Sequence, residues 1–206
     1  MNASSLERDP YNIIITGVGG QGNVMASRIL GSMLVGKGYY VTIGETFGPS
    51  QRGGSVMSHL RISRKSTWSP QIPAHRADLI ASLEPAEAVR VMAQYGNPDV
   101  YILCNSRPIY PVTVTRGDEE YPSVADIKAS LRSLASHTIF IDATEEAQKL
   151  GNTIFANIIL LGAMYGTHLL PLEREDFVEA ISQRFRKDQI EINLTAFDRG
   201  CELLHC

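Results

Sequence analysis

The chain has 206 residues, 44% of them hydrophobic and 20% charged, which suits one globular domain with a sizeable core. A formal net charge of −3 argues against nucleic-acid binding, because domains of that kind concentrate basic charge. No apolar run reaches the roughly 18 residues of a membrane span; "IFANIILLGAMYG" at 154–166 comes nearest and is broken by Asn157 and Gly162.

The opening "MNASSLERDP" has no apolar signal core. A cytoplasmic protein is therefore expected, a single domain over 1–206 with a flexible stretch at 1–11. The three cysteines, Cys104, Cys201 and Cys206, form no C-x-x-C and no disulfide framework. A four-iron cluster takes four thiolates, so the chain by itself lacks the usual set. The five histidines are scattered, with none at metal-ligand spacing from another.

In chain order, strand alternates with helix. "NIIIT" at 12–16 is a β-branched apolar run, as in a buried parallel strand. A glycine-rich turn follows at 17–22. Met25, Ile29 and Met33, with Ala26, Leu30 and Leu34, then recur at i+4 and predict a helix ended by Gly36 and Gly38. Residues 39–43 read as a second strand. From 55 to 62 the residues alternate, Val56, Ser58, Leu60 and Ile62 on one face and Met57, His59 and Arg61 on the other. His59 and Arg61 are expected to point at solvent or at a partner. Residues 78–82 and 99–104 read as strands, and Pro85 suits the first turn of the helix between them. Residues 107–122, with "PVTVT", read as an irregular or extended excursion. Ser123 caps a helix to 136 with Asp126 at its third position, and 138–142 is the last strand.

From Glu145 onward the pattern is mostly helical. "NTIFANIILLGAMYG" is apolar nearly all round, a buried helix or a subunit contact. "LEREDFVEAISQRFR" carries Phe177, Ile181 and Phe185 on one stripe, and "EINLTAFDRGCELL" is a final helix. The order predicts a three-layer α/β/α domain with a mainly parallel sheet and a helical C-terminal third.

Gly17-Val18-Gly19-Gly20-Gln21-Gly22 satisfies G-x-G-x-x-G between a strand and a helix. Such glycines let the backbone approach a pyrophosphate at a helix N-terminus. Glu45, after the second strand, stands where a ribose-binding acid would. A free-standing NAD(P)-binding oxidoreductase or a nucleotide-binding module is one reading; close strand-to-helix packing without a ligand is another. No acid–base constellation, nucleophile elbow or G-x-x-x-x-G-K accompanies the loop.

A second block favours a third reading. "GVGGQGNVMASRILG" followed by "FGPSQRGGSVMSHLRIS" resembles the γ-type subunits of the 2-oxoacid:ferredoxin oxidoreductases, within that group the indolepyruvate type. The likeness continues in "LEPAEAVR", "NIILLGAMYGTHLLPLEREDFVEAI" and "INLTAFDRGCEL", nearly the whole chain. It implies a subunit of a larger enzyme that oxidatively decarboxylates a 2-oxoacid to an acyl-CoA and passes electrons to ferredoxin. Thiamine diphosphate, 4Fe-4S clusters and CoA are then expected in the assembled complex, the first two held by catalytic partner subunits and no cofactor bound by this chain alone. No acid, base or nucleophile is assigned here. Glu45 is not a ribose acid on this reading. Gly17, Gly19, Gly20, Gln21 and Gly22, with Arg52, Gly53, Gly54 and Ser55, are expected to form an active-site wall against the catalytic subunit or CoA. Arg52 would pair with a carboxylate or phosphate. Asn23 stands where family members often carry an aliphatic residue, and Gly48-Pro49-Ser50 resembles oxoglutarate-type γ subunits. The substrate class thus spans arylpyruvates, branched 2-oxoacids and 2-oxoglutarate, with indolepyruvate or another arylpyruvate favoured.

Overall fold

A computed structural model describes residues 6–48 and 54–204. Six strands form one sheet: β1 (Tyr11–Val18), β2 (Tyr40–Phe47), β3 (Ser55–Ser63), β4 (Leu79–Ser82), β5 (Tyr101–Asn105) and β6 (His137–Ile141), in the order β2-β3-β1-β4-β5-β6. β3 is antiparallel to both β1 and β2, and β4, β5 and β6 follow β1 in parallel, so β3 alone runs against the rest. The mainly parallel sheet expected from the sequence is thus present.

Alternation along the strands divides the interior in two. Ile13 and Ile15 of β1, with Leu79 and Ala81 of β4, meet a layer of α1 (Asn23–Gly36), α5 (Ala143–Lys149), α6 (Ala156–Gly166), α7 (Arg174–Ser182) and α8 (Lys187–Glu202). Ile14, Ile80 and Ile102 face the other way, onto α2 (Pro85–Tyr95) and α4 (Val124–Leu134). α4 starts as the sequence indicates: Ser123 Oγ accepts from the Asp126 N–H at 3.1 Å. α6 is buried along almost its whole length, and α8 is its main partner. No helix among the described residues is long and apolar enough to cross a membrane.

Three expectations are corrected. His59 and Arg61 do not face solvent: they are 2% and 8% exposed. The segment 64–78 straps over that face of β3. His59 sits edge-on to Tyr95, and burial pushes its imidazole below the ordinary value. Arg61 donates to Asn12 Oδ1 at 3.1 Å and to the Ser69 carbonyl at 3.2 Å, with Trp68 over its guanidinium. Gly44 belongs to the same arrangement, since a Cβ there would lie 2.9 Å from Pro70 Cβ. Second, "PVTVT" is not extended: Val112–Arg116 forms one short helix, α3, closed by Gly117 at φ 81°. Proline at its N-cap and glycine just beyond its end outweigh the β-branched residues between. Third, α7 ends at Ser182, before Phe185, and the final helix starts earlier, at Lys187.

The helical third is tied together by charge as well as by packing. Glu146 on α5 accepts from Lys149 Nζ at 2.6 Å and from Arg199 Nε on α8 at 2.8 Å. Those two cations hold its carboxyl below the usual carboxylate range. A depressed folded value means stability present above the unfolded pKa and lost as pH falls through the folded one. Glu146→Gln should therefore lower Tm at neutral pH, and the gap to the wild type should close as pH drops below the carboxylate range. Thermal melts across that range test it; a pH-independent gap would mean the effect is packing.

Candidate functional site at the carboxyl ends of the strands

From β1 the chain crosses by α1 to β2 on one side, while β4 lies on the other side of β1. Ligands of open α/β sheets bind at such a reversal, outside the carboxyl ends of the strands. The glycine loop occupies that place here. Gly20 and Gly22 have φ of 102° and 82°, and Gly22 is the N-cap of α1, with no side chain capping the helix.

The loop is stitched into the strand ends by its own side chains. Gln21 Oε1 accepts from the Val18 N–H at 2.8 Å, and Gln21 Nε2 donates to the Leu83 carbonyl beyond β4 at 2.9 Å. Asn23, 2% exposed, donates from Nδ2 to the Val18 carbonyl at 3.2 Å. These two side chains fill the space above Gly17, where a Cβ would lie 2.5 Å from Gln21 Oε1 and 2.8 Å from Asn23 Oδ1. Asn157 of α6 donates to the Gly22 carbonyl at 3.3 Å. Asn105, buried at the end of β5, donates to the Leu83 carbonyl at 3.1 Å and to Thr144 Oγ1 at 2.9 Å. Leu83 thus gathers β1, β4 and β5 at one point.

The two sequence blocks meet in space. The Gly19 N–H donates to the Gly54 carbonyl at 2.8 Å, so the glycine loop is bonded to the entrance of β3. Ser55 Oγ donates to Glu87 Oε2 of α2 at 2.7 Å, and Arg90 reaches both groups. Gly54 and Ser55 are thereby placed beside Gly17, Gly19, Gly20, Gln21 and Gly22. Arg52 and Gly53 lie outside the described residues.

Glu45 does not sit where a ribose acid would. The fingerprint needs its acid on the strand next to β1, and here β3 is inserted between β2 and β1. Glu45 instead pairs with Arg28 of α1 at 3.3 Å. The spacing in sequence matched; the sheet order removes the function.

Above the loop is a cleft of about 620 Å³, walled by Arg107, Pro108 and Ile109 and floored by Thr144, Gln148 and Asn152. Arg107 is the one charged side chain among the described residues that line it. A cationic mouth over backbone glycines and amide side chains suits an anionic group. Exposed apolar side chains flank this end of the domain: Met25 (40% exposed), Ile109, Tyr110 and Ile154. The sequence reading missed Arg107 and the polar floor. Thr144, Gln148 and Asn152 recur every four residues, a polar stripe that could have been noticed.

Beneath the wall lies Glu84, 2% exposed, the N-cap of α2. Its Oε2 accepts from the Glu87 N–H at 2.9 Å, and its Oε1 accepts from Tyr121 and from the Ile109 N–H. Burial pushes the Glu84 carboxyl above its ordinary range, against the pull of those donors. Cys104 is also fully buried, in β5, and burial pushes its thiol up, so it is a core residue. Among the described residues no group of three or more His, Cys, Asp or Glu is placed to hold a metal ion.

A family model described as pyruvate ferredoxin/flavodoxin oxidoreductase matches residues 12–203. The indolepyruvate oxidoreductase subunit IorB of Archaeoglobus fulgidus is 36% identical over 189 residues, 92% of each chain. The subunit of the same name from Pyrococcus horikoshii is 38% identical over 191 residues, 92% of this chain and 94% of its own. The fold is also similar to part of a solved 2-oxoglutarate:ferredoxin oxidoreductase from Magnetococcus marinus, at a TM-score of 0.73 and 19% identity, covering 97% of this chain and 32% of that one.

Proposed function

Because this chain belongs to the pyruvate ferredoxin/flavodoxin oxidoreductase family, we propose that it is a subunit of a thiamine-diphosphate-dependent 2-oxoacid:ferredoxin oxidoreductase acting on indolepyruvate or another arylpyruvate, inactive alone. The observation that carries the reading is the match of nearly the whole chain, at more than a third identity, to subunits named for indolepyruvate. The carbanion and electron-transfer chemistry belongs to thiamine and clusters held by partner subunits. This chain's part is positional. Its glycine loop and the Arg107 wall form the side of the site that receives CoA, whose phosphates suit the cationic mouth. The apolar side chains around the cleft meet the catalytic subunit.

The test is isolation of the complex from its host without oxygen. Iron–sulfur absorbance and thiamine diphosphate should accompany this chain, and CoA-dependent oxidation should favour indolepyruvate over 2-oxoisovalerate and 2-oxoglutarate. A colourless chain that comes down alone carrying a dinucleotide would sink the proposal. Within the complex, Arg107→Ala should raise the KM for CoA about tenfold while leaving kcat nearly unchanged, the loss of one charge-assisted contact.

A further inference from the structure

The wall that carries Arg107 is attached to the domain in an unusual way. Segment 106–122 leaves the end of β5 and returns to start α4. Its backbone hydrogen bonds are largely internal: Thr115 to Pro111, Gly117 to Val114, and Asp118 to Thr113. Thr113 and Glu119 also bond to each other within it. At its base the Ser106 N–H donates to the Ile141 carbonyl at 2.8 Å. Beyond that base, the hydrogen bonds between this segment and the domain body converge, among the described residues, on one place: the buried carboxyl of Glu84 and the helix it caps. The Ile109 N–H donates to Glu84 Oε1 at 3.4 Å, Tyr121 donates to the same oxygen, and the Ala86 N–H donates to Tyr121 at 3.3 Å. Tyr110, next to Ile109, packs edge-on against Tyr121, ring centroids 5.1 Å apart, and joins the same anchor.

We propose that Glu84 and Tyr121 form a latch that holds segment 106–122 as the cleft wall, making them positioning residues for Arg107. The geometry explains why a carboxylate is buried here. One oxygen caps α2 and the other collects two donors from the wall, so both oxygens are used and neither can be given up singly. An amide in its place presents one acceptor and one donor. Either orientation sets an N–H against the Glu87 N–H or against the Ile109 N–H. A phenylalanine at 121 keeps the ring and its packing but removes the hydroxyl, which leaves the Ile109 N–H as the wall's one bond to Glu84, removes the acceptor of the Ala86 N–H and keeps Glu84 Oε2 on the Glu87 N–H. The latch itself does not depend on what the cleft binds; its effect on CoA rests on the reading above.

The test is hydrogen exchange on the full chain, followed by mass spectrometry, for Tyr121→Phe and Glu84→Gln. Tyr121→Phe should speed exchange across 107–120 about tenfold, the loss of one hydrogen bond to a charged group. Exchange in β1 and β4 should stay at the wild-type rate. Glu84→Gln should show the same local change plus faster exchange at the Glu87 amide, which Glu84 caps. In the assembled enzyme, Tyr121→Phe should raise the KM for CoA in step with Arg107→Ala and leave kcat nearly unchanged. Unchanged exchange in 107–120, or a rise spread evenly over the whole domain in Tyr121→Phe, would overturn the latch. Faster local exchange, combined with a KM that neither Tyr121→Phe nor Arg107→Ala alters, would support the latch and overturn the assignment of CoA to the cleft.

Discussion

Gly200→Ala should be among the most damaging single substitutions in this domain, costing on the order of 3 kcal/mol. A Cβ at Gly200 would lie 1.9 Å from the Ile159 carbonyl oxygen and 2.8 Å from the Ala163 nitrogen. The crossing is reciprocal: at Gly162 a Cβ would lie 1.9 Å from the Phe197 carbonyl oxygen. α6 and α8 therefore touch backbone to backbone, and neither neighbour is a side chain that can swing aside. To admit a methyl the helices must separate. That opens the packing around Phe197, which stacks on Phe177 with centroids 4.0 Å apart and is fully buried. Helix propensity acts in the opposite direction, because alanine in place of glycine favours a helix by about 0.5–1 kcal/mol. Gly36→Ala supplies the comparison. It ends α1, has an ordinary φ and meets nothing within 4 Å, so it should be neutral or slightly stabilising. Thermal or denaturant unfolding of the two variants should move in opposite directions. A Gly200→Ala protein as stable as the wild type would mean that the crossing has room that the structure does not show.

Several local signals in the sequence were read correctly because local forces set them. The β-branched run at 12–16 becomes β1, its residues buried alternately on the two faces. The i+4 pattern from Met25 becomes α1, and Ser123 caps α4. What the sequence could not convey depends on partners far away along the chain. His59 and Arg61 alternate like an exposed strand face, yet the strap of 64–78 lies across them. Glu45 obeys the dinucleotide spacing, yet an antiparallel strand separates it from the loop it was meant to serve. The glycine loop and the later block were legible as two motifs; the hydrogen bond from Gly19 to Gly54 that joins them was not. Ile109, two residues beyond Arg107 in the wall, meets Glu84 through its backbone N–H across 25 residues of sequence, without any motif to announce the pair. Resemblance to a family supplied the functional reading. Spacing alone had left open a nucleotide-binding enzyme, a nucleotide-binding module and plain strand-to-helix packing.

The glycines of the loop separate into two kinds, and substituting each should show which is structural and which borders the ligand. Gly22→Ala should cost about 2–3 kcal/mol. Its φ of 82° strains any side chain by roughly 1–2 kcal/mol, and a Cβ would lie 2.2 Å from Asn157 Nδ2. That amide would have to leave the Gly22 carbonyl, losing a further bond of about 1 kcal/mol. Because Asn157 belongs to α6, the damage passes from the loop to the central helix of the C-terminal third. Gly20→Ala meets nothing within 4 Å at its φ of 102°, so backbone strain of about 1–2 kcal/mol is its whole stability cost. Its methyl would, however, project from a residue that lines the cleft. Gly22→Ala should therefore lower Tm more, and Gly20→Ala should weaken CoA use more than its modest loss of Tm accounts for. Melting of the chain and CoA titration of the complex, done on both variants, separate the two effects. If CoA use fell only in proportion to Tm in both, the loop would be strand-to-helix packing alone, and the ligand would have to be held by the Arg107 wall and the polar floor without it.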